Sequence, residues 1–408
     1  MDLIKKLLSD LPGDKWSSEY VADGALHMSA GTPDRLNKKR IEARISEAAG
    51  RAGISDAKAV IKSGFEEIFS EYGKNEYAKS EIMLELSGDG ETTEGPIALE
   101  IKVKDLIYDH DLGSDCDDGG AVAMLLNAHR EGVCRALAIT SCVFNPYASY
   151  CVGLMCEYFG IDDIEIGVNT ERDILNSEGW WQCSKSQAEK YYTEKGRPFP
   201  EYESDIPLIR RKLAESRGDV TYVSTGALTT VYALMQSAPD DISPLDGCAL
   251  FREKVGHYVC GGGKFPDGTL ESNFLCDPEA VDKVVNEYLK GFPISFFGAE
   301  VAGGTLSGIV MMQDKYKDYV LRDIYLHHRS DCNHNSWDLG SMHYSVFGIT
   351  YPYFEVRRGY TVEPYGTLGC MRLYNGGVHD YIVRRVSYDA LSPTFNDYIV
   401  PREQGAAE

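Results

Sequence analysis

From about residue 104 to the end at 408, the chain alternates short apolar segments with segments of helical spacing, and this alternation restricts the fold most strongly. Repeated strand–helix units of this kind predict an α/β fold, in which helices cover both faces of a mainly parallel open sheet. Ligands of such sheets bind beyond the carboxyl ends of the strands. The predicted strands are Leu106–Tyr108, Ala136–Val143, Val220–Ser224, Gly256–Cys260 and Ile294–Phe297.

Residues 1–103 follow a different pattern, which predicts a small separate module with helices and a β-hairpin. One helix is expected over about 33–51, and a second is expected to begin with Ser55 or Asp56 as its cap. Apolar residues alternate on both sides of the turn at Gly88–Glu91, and this pattern predicts the hairpin. We assign no function to this module.

Composition narrows the classes of partner. The 408 residues carry a formal net charge of −22, which repels phosphate backbones and anionic lipid. We therefore expect neither nucleic acid nor a membrane as partner, and no apolar run reaches membrane-spanning length. The eleven cysteines include no C-x-x-C pair, so we expect free thiols in a reducing cytoplasm.

The segment Asp109–Asp118 holds five carboxylates within ten residues, directly after a predicted strand and before a predicted helix. No lysine or arginine is interleaved with them, so the carboxylates would repel one another strongly. Carboxylate oxygens are the ligands that Ca²⁺ and Mg²⁺ prefer. The segment therefore predicts a site for a hard divalent cation at the end of the strand.

Three chemistries could use such a loop. An EF-hand does not fit, because a frame from Asp109 places Gly113 at position 5 and a frame from Asp115 places Leu126 at position 12. A metal-dependent phosphatase with Asp109 as the nucleophile remains open. An N-glycosyl hydrolase, in which a cation holds a water and sugar hydroxyls, also remains open.

The loop resembles the N-terminal signature of the nucleoside hydrolases, the inosine-uridine preferring nucleoside N-ribohydrolase family. The family pattern D-x-D-x-G-x-D-D is present here in a longer form, D-x-D-x-G-x-D-x-D-D. The resemblance covers about Lys104 to Val383 and implies the Rossmann-like architecture of that family. Further segments resemble the family in the same order, namely Ile139–Asn145, Ser224–Thr230, Gly261–Asn273, Asp277–Ala280 and Trp337–Leu339.

The resemblance implies Ca²⁺-dependent hydrolysis of ribonucleosides, or related N-ribosides, to base and ribose, as in purine or pyrimidine salvage. Asp111 would be both a Ca²⁺ ligand and the general base for the attacking water. The other Ca²⁺ ligands would be Asp118, Asp338 and the carbonyl oxygen of Thr225. The residues that bind the substrate would be Asp117, Asn145, Glu271 and Asn273.

The chain departs from the family at Trp337, where many members place the histidine that protonates the leaving base. An indole cannot donate that proton, but it can stack on a base, so we assign Trp337 to the catalytic site. His334 is an alternative acid, and Glu300 is a further candidate for the pocket. A non-catalytic relative that binds a nucleoside or a metal remains an alternative. We expect a homo-oligomer, either a dimer or a tetramer.

Overall fold

The computed structural model describes residues 104–113, 115–170, 182–348 and 353–402, together with the backbone of six short strands between residues 16 and 100. The chain divides into two compact units. The first comprises Met1–Lys104, Ala128–Arg135 and Val346–Tyr351, and the second comprises Asp105–Asn127, Ala136–Ser345 and Pro352–Glu408.

The first unit contains a six-stranded sheet in the order β1-β2-β6-β4-β3, with β5 paired to β4. Its strands are β1 (Trp16–Ala22), β2 (Ala25–Ala30), β3 (Asp56–Ile61), β4 (Glu81–Gly88), β5 (Glu91–Thr92) and β6 (Ile97–Glu100). Strands β4 and β6 pair antiparallel, as the predicted hairpin requires.

The helix predicted to begin at Ser55 or Asp56 is wrong over Asp56–Ile61, because these residues pair with β4 as an antiparallel strand. A helical spacing of apolar residues is a weak signal over only six residues, and pairing with the distant strand β4 overrides it. The rest of that predicted helix, and the helix predicted over 33–51, lie outside the described residues.

A nine-stranded sheet forms the centre of the second unit, in the order β10-β9-β8-β7-β11-β12-β13-β17-β16. Its pairing is mainly parallel, and β16 joins β17 antiparallel at one edge. The separate pair β14 and β15 is antiparallel. The strands are β7 (Lys104–His110), β8 (Cys134–Ser141), β9 (Glu165–Val168), β10 (Glu203–Ser204), β11 (Val220–Ser224), β12 (Val255–Gly261), β13 (Ile294–Phe297), β14 (Leu306–Ser307), β15 (His334–Asn335), β16 (Phe354–Tyr365) and β17 (Cys370–Arg384).

Helices alternate with these strands, which confirms the predicted α/β fold. They are α1 (Asp117–Arg130), α2 (Tyr147–Phe159), α3 (Gln182–Tyr192), α4 (Asp205–Glu215), α5 (Thr229–Gln236), α6 (Gly247–Lys254), α7 (Ser272–Cys276), α8 (Pro278–Asp282), α9 (Ala299–Ala302), α10 (Val320–His328), α11 (Trp337–Phe347) and α12 (Tyr388–Tyr398). Short 3₁₀ segments occupy Ile309–Met312 and Asp314–Tyr316, and a π-helical segment, Lys283–Tyr288, continues α8.

Local sequence explains where several helices begin and end. Helix α2 ends at Gly160, whose φ of 68° is the left-handed conformation that glycine adopts without steric cost. Helix α8 begins after Asp277, whose carboxylate accepts the backbone N–H of Ala280, and Pro278 occupies the first turn.

The register of the sheet aligns the ends of four strands. Asp109 of β7 pairs with Ser224 of β11, Ser224 pairs with Cys260 of β12, and Cys260 pairs with Phe296 of β13. Because these strands are parallel, the residues that follow them emerge at the same edge of the sheet.

The eleven cysteines all lie within the described residues and form no disulfide, and most of them are buried, as expected from the sequence. Among the described helices, none has both the length and the apolar character needed to cross a membrane.

Candidate active site

A cavity of about 520 Å³ opens at the carboxyl ends of β7, β11, β12 and β13. The residues that follow these strands line it, as the general rule for open α/β sheets predicts. The first turns of α1 and α11 supply further carboxylates. Of the site residues predicted from the sequence, the cavity brings together Asp111, Asp117, Asp118, Thr225, Glu271, Asn273, Trp337 and Asp338.

Asp111, Asp118 and Asp338 form a tight cluster in this cavity. One carboxylate oxygen of each lies within 4.8 Å of the others, and all three residues are buried. The backbone N–H of Asp111 donates to Oδ1 of Asp118 at 3.0 Å. Three carboxylates from a strand end and two helix starts therefore converge on one point.

Close packing of α1 against α11 allows this convergence. Gly120 lies in the first turns of α1, and a Cβ at this position would lie 2.5 Å from Cδ1 of Leu339 and 2.8 Å from the hydroxyl of Tyr325. A larger side chain would force the two helices apart. The backbone N–H of Asp338 also donates to Oδ2 of Asp117 at 2.9 Å, which joins the first turns of the two helices.

The electrostatics of the cluster fit a divalent cation. Burial raises the pKa of Asp117, Asp118 and Asp338 well above the usual range, and the neighbouring carboxylates raise each pKa further. Bringing these anions together is unfavourable unless protons or a cation neutralise them. Oxygen ligands at such spacing suit Ca²⁺ or Mg²⁺.

Thr225 is held in place at the cavity wall by two neighbours. Its hydroxyl is hydrogen-bonded to the hydroxyl of Tyr108 at 2.8 Å. Its carbonyl oxygen accepts Nδ2 of Asn273 at 2.6 Å, and the same nitrogen donates to the carbonyl of Gly261 at 2.9 Å. Sequence reasoning missed Tyr108, because nothing in the sequence distinguishes it from the other apolar residues of its strand.

Glu271 lines the cavity and also caps α7. Its carboxylate accepts the backbone N–H groups of Gly263, Asn273 and Phe274 at 2.9–3.1 Å. Burial raises the pKa of Glu271, and these hydrogen bonds oppose that rise. The residue therefore fixes the shape of the pocket as well as presenting a carboxylate to it.

The two aspartates of the longer loop have different surroundings. Asp117 is buried against the carboxylate cluster through its bond to Asp338. Asp115 also lines the cavity, but its Oδ1 accepts the backbone N–H of Cys116 at 2.7 Å and lies 3.3 Å from Nδ1 of His334.

Asn145, predicted to bind substrate, is not among the residues that line the cavity. Its Oδ1 accepts the backbone N–H of Tyr147 at 2.9 Å, as in the turn that precedes α2. Its Nδ2 is buried and has no hydrogen-bond partner within the described part of the chain. The end of β8 thus provides a turn residue with one amide nitrogen unused.

Trp337 begins α11 and lines the cavity, and a Cβ on Gly303 would collide with its indole nitrogen. His334 is not among the lining residues, and its ring centroid lies 6.1 Å from that of Trp337. Glu300, after β13, does line the cavity, and Oε2 accepts the backbone N–H of Phe265 at 3.1 Å. Burial raises the pKa of Glu300 to about 7.

Comparison with known proteins gives the same architecture. A crystal structure of the inosine-uridine preferring nucleoside hydrolase from Bacillus anthracis aligns with a TM-score of 0.55 and 17% identity, over 73% of this chain and 98% of that one. The plant nucleoside hydrolase PpNRh1 aligns with a TM-score of 0.52 and 18% identity, over 73% and 99%. The effector protein XOO4466 aligns at 0.51 and 13%, over 68% and 89%.

At these identities the structural matches show the fold alone. Among curated proteins, none matches this chain. The family model "Inosine-uridine preferring nucleoside hydrolase" matches residues 106–351, more than half of the chain, and this span includes the carboxylate cluster and the four aligned strand ends. The chain therefore belongs to the inosine-uridine preferring nucleoside hydrolase family.

Proposed function

We propose that this enzyme hydrolyses the N-glycosidic bond of ribonucleosides, or related N-ribosides, with a Ca²⁺ ion held by Asp111, Asp118, Asp338 and the carbonyl oxygen of Thr225. The observation that carries the proposal is the convergence of three buried carboxylates in a cavity at the strand ends of a nucleoside hydrolase fold. Membership of the family gives the reaction class, N-glycosidic hydrolysis of nucleosides.

Asp111 is the proposed general base. When bound, the cation would lower the pKa of a water and orient it toward the sugar. Asp111 is placed to take the proton of the attacking water, since its carboxylate belongs to the cluster and borders the cavity. Its position depends on the end of β7 and on its backbone bond to Asp118.

Ribose is proposed to bind between Asp117, Glu271 and Asn273. Cleavage of an N-glycosidic bond passes through a transition state with oxocarbenium character, in which positive charge develops on the sugar ring. The carboxylates of Asp117 and Glu271 are fixed by backbone N–H donors, so they stabilise that charge without reorganising. Asn145, with its unused amide nitrogen, stays a proposed fourth contact.

The leaving base is proposed to stack on Trp337. An aromatic ring offers a base about 1–3 kcal/mol of stacking energy, which is less than the roughly 3–5 kcal/mol that a general acid contributes. Substrates whose leaving group needs little help from an acidic side chain of the enzyme should therefore react best. Purines, which can be protonated at N7, and activated aryl ribosides belong to this class.

The phosphatase alternative would require Asp109 to act as a nucleophile. Asp109 is fully buried, is not among the lining residues, and accepts the hydroxyl of Thr140 at 2.8 Å. Burial also raises its pKa well above the usual range, which favours the neutral and non-nucleophilic form. These observations argue against a phosphatase.

The test is to incubate the native protein with inosine, uridine and other nucleosides and to measure reducing sugar, with Ca²⁺ and with a chelator. We expect sugar release that the chelator abolishes and Ca²⁺ restores, and that Asp111→Asn lacks. Saturable binding of nucleoside without release of sugar would support the non-catalytic alternative instead. The homo-oligomer and the cytoplasmic location stay predictions, which light scattering and cell fractionation can check.

A further inference from the structure

A second group of metal-binding side chains lies next to the cavity, formed by Asp115, His328 and His334. They come from the loop before α1, the end of α10, and β15. One nitrogen or oxygen atom of each lies within 4.8 Å of the others. The ring centroids of the two histidines are 5.8 Å apart, and their planes are inclined by 69°.

The distance between the ligand atoms of Asp115 and His334 matches tetrahedral coordination. Zinc binds histidine nitrogen and carboxylate oxygen at about 2.0–2.1 Å, so two such ligands on one tetrahedral ion lie about 3.3–3.4 Å apart. Oδ1 of Asp115 and Nδ1 of His334 are 3.3 Å apart. That nitrogen also lies 3.4 Å from the carbonyl oxygen of Asn335, too long for a strong hydrogen bond.

Two further observations point to a ligand. Nε2 of His328 is buried and has no hydrogen-bond partner within the described residues, although an imidazole nitrogen in such a position normally has one. The carboxylate of Asp115 is oriented by the backbone N–H of Cys116 at 2.7 Å, the type of outer contact that fixes a metal-binding carboxylate.

We propose that Asp115, His328 and His334 bind a divalent transition metal of the Zn²⁺ type, at a site separate from the Asp111–Asp118–Asp338 cluster. The donor sets differ, because imidazole suits zinc and its neighbours, whereas Ca²⁺ takes oxygen ligands. Three protein ligands leave one position of a tetrahedral ion open. The side chains of Asp115 and His334 are 31% and 15% exposed, so the site can be reached from solvent.

This site goes beyond the proposed hydrolase activity and does not depend on it. It connects the loop that carries the family signature to the segment that leads into α11. Asp115 contributes to both the site and the cavity wall, so an ion here would fix one wall of the substrate pocket.

The test titrates the full-length protein with Co²⁺ and with Zn²⁺ in excess Ca²⁺, which occupies the oxygen-ligand site. We expect the protein to bind one equivalent of Co²⁺ and to show the visible absorption of tetrahedral Co²⁺ with nitrogen ligands. Addition of Zn²⁺ should displace the Co²⁺ and remove this absorption. His328→Gln and His334→Gln should each weaken Zn²⁺ binding by at least about 10–100-fold, the loss that even an outer-sphere contact costs. Asp115→Asn provides a third variant if a histidine variant does not fold, as judged by thermal unfolding.

His327→Gln is the matched control, because this histidine is exposed on the same helix and adjoins His328. It should leave Co²⁺ binding unchanged. Asp338→Asn should also retain the Co²⁺ absorption, which separates this site from the carboxylate cluster even if that cluster does not bind Ca²⁺. The proposal is overturned if the native protein binds no Co²⁺, or if the His328 and His334 variants bind it as the native protein does.

Discussion

Gly226 offers a direct test of the role of Asp111, because the space beside this glycine is filled by that side chain. A Cβ at position 226 would lie 2.8 Å from Cβ of Asp111 and 2.9 Å from its Cγ. Carbon atoms pack best at about 3.5–4.0 Å, so Asp111 would have to move by roughly 0.6–1.2 Å. Gly226 does not adopt a left-handed backbone conformation, so alanine fits the chain there and the effect is steric.

We expect Gly226→Ala to lower kcat/KM for inosine by about 10²-fold, the usual cost of misplacing a reacting group by about 1 Å. Overpacking should also lower the free energy of unfolding by about 1–3 kcal/mol. The assay measures release of reducing sugar in saturating Ca²⁺, at a temperature where thermal unfolding shows both proteins to be folded. The shortest contact of the added Cβ is with Sγ of Cys142 at 2.7 Å; Cys142→Ala in the same chain removes this contact and should not restore activity.

Gly167→Ala separates a catalytic effect from a loss of stability. A Cβ on Gly167 would lie 2.9 Å from Cγ2 of Thr140 and 3.1 Å from Cα of Asp205, and none of these residues lines the cavity. This variant should lose stability while its folded fraction retains kcat/KM. Native kcat/KM in Gly226→Ala, or an equal loss in both variants, would refute the assignment of Asp111.

Three further outcomes are expected. Trp337→Ala should lower kcat/KM for inosine by about 5- to 150-fold, as loss of about 1–3 kcal/mol of stacking implies. The native enzyme should also prefer p-nitrophenyl riboside to uridine. Equal rates for these two substrates, unchanged by the substitution, would indicate another acid, and His334 would be the first residue to mutate. Burial raises the pKa of Glu300 to about 7, so the folded protein holds the proton of this carboxyl more tightly than the unfolded chain does. The stability that depends on this proton is lost as pH rises from about 4.5 through 7. Across that pH range, the free energy of unfolding of the native protein, measured with denaturant, should thus fall by on the order of 3 kcal/mol relative to that of Glu300→Gln. Parallel pH profiles of the free energy of unfolding for the two proteins would contradict this. Ca²⁺ at about 100 times its Kd should stabilise the native protein by about 2.7 kcal/mol, raising Tm, and Asp338→Asn should lose this increment; an equal Ca²⁺ shift in that variant would show that Asp338 is not a ligand.

Much of the second unit could be predicted because its signals are local. The strands Val220–Ser224 and Ile294–Phe297 have the predicted bounds, and the cap at Asp277 lies where the sequence places it. The resemblance to the family predicts that one metal site contains Asp111, Asp118 and Asp338. Spacing alone could not do so, since Asp338 is more than two hundred residues away from the other two.

Other features of the fold and of the site depend on distant partners, which local sequence signals do not encode. Asp56–Ile61 becomes a strand because β4 offers it a partner. Asn145 follows a strand as predicted, but the cavity does not extend to it. The Asp115–His328–His334 group could not be found from the sequence, because three remote segments must fold before their side chains meet.

The hydrogen bond from the backbone of Asp338 to Asp117 joins segments that leave the ribosome at very different times. Asp111, Asp117 and Asp118 are synthesised early, whereas Asp338 is added near the end of the domain. A nascent chain that stops before α11 thus carries the acidic loop without its last carboxylate. At the proposed Ca²⁺ site, complete cation binding would become possible only when synthesis has passed Asp338, so the ion would bind in full only to chains that already contain the start of α11. Once bound, it would fasten the first and last thirds of the domain together against unfolding.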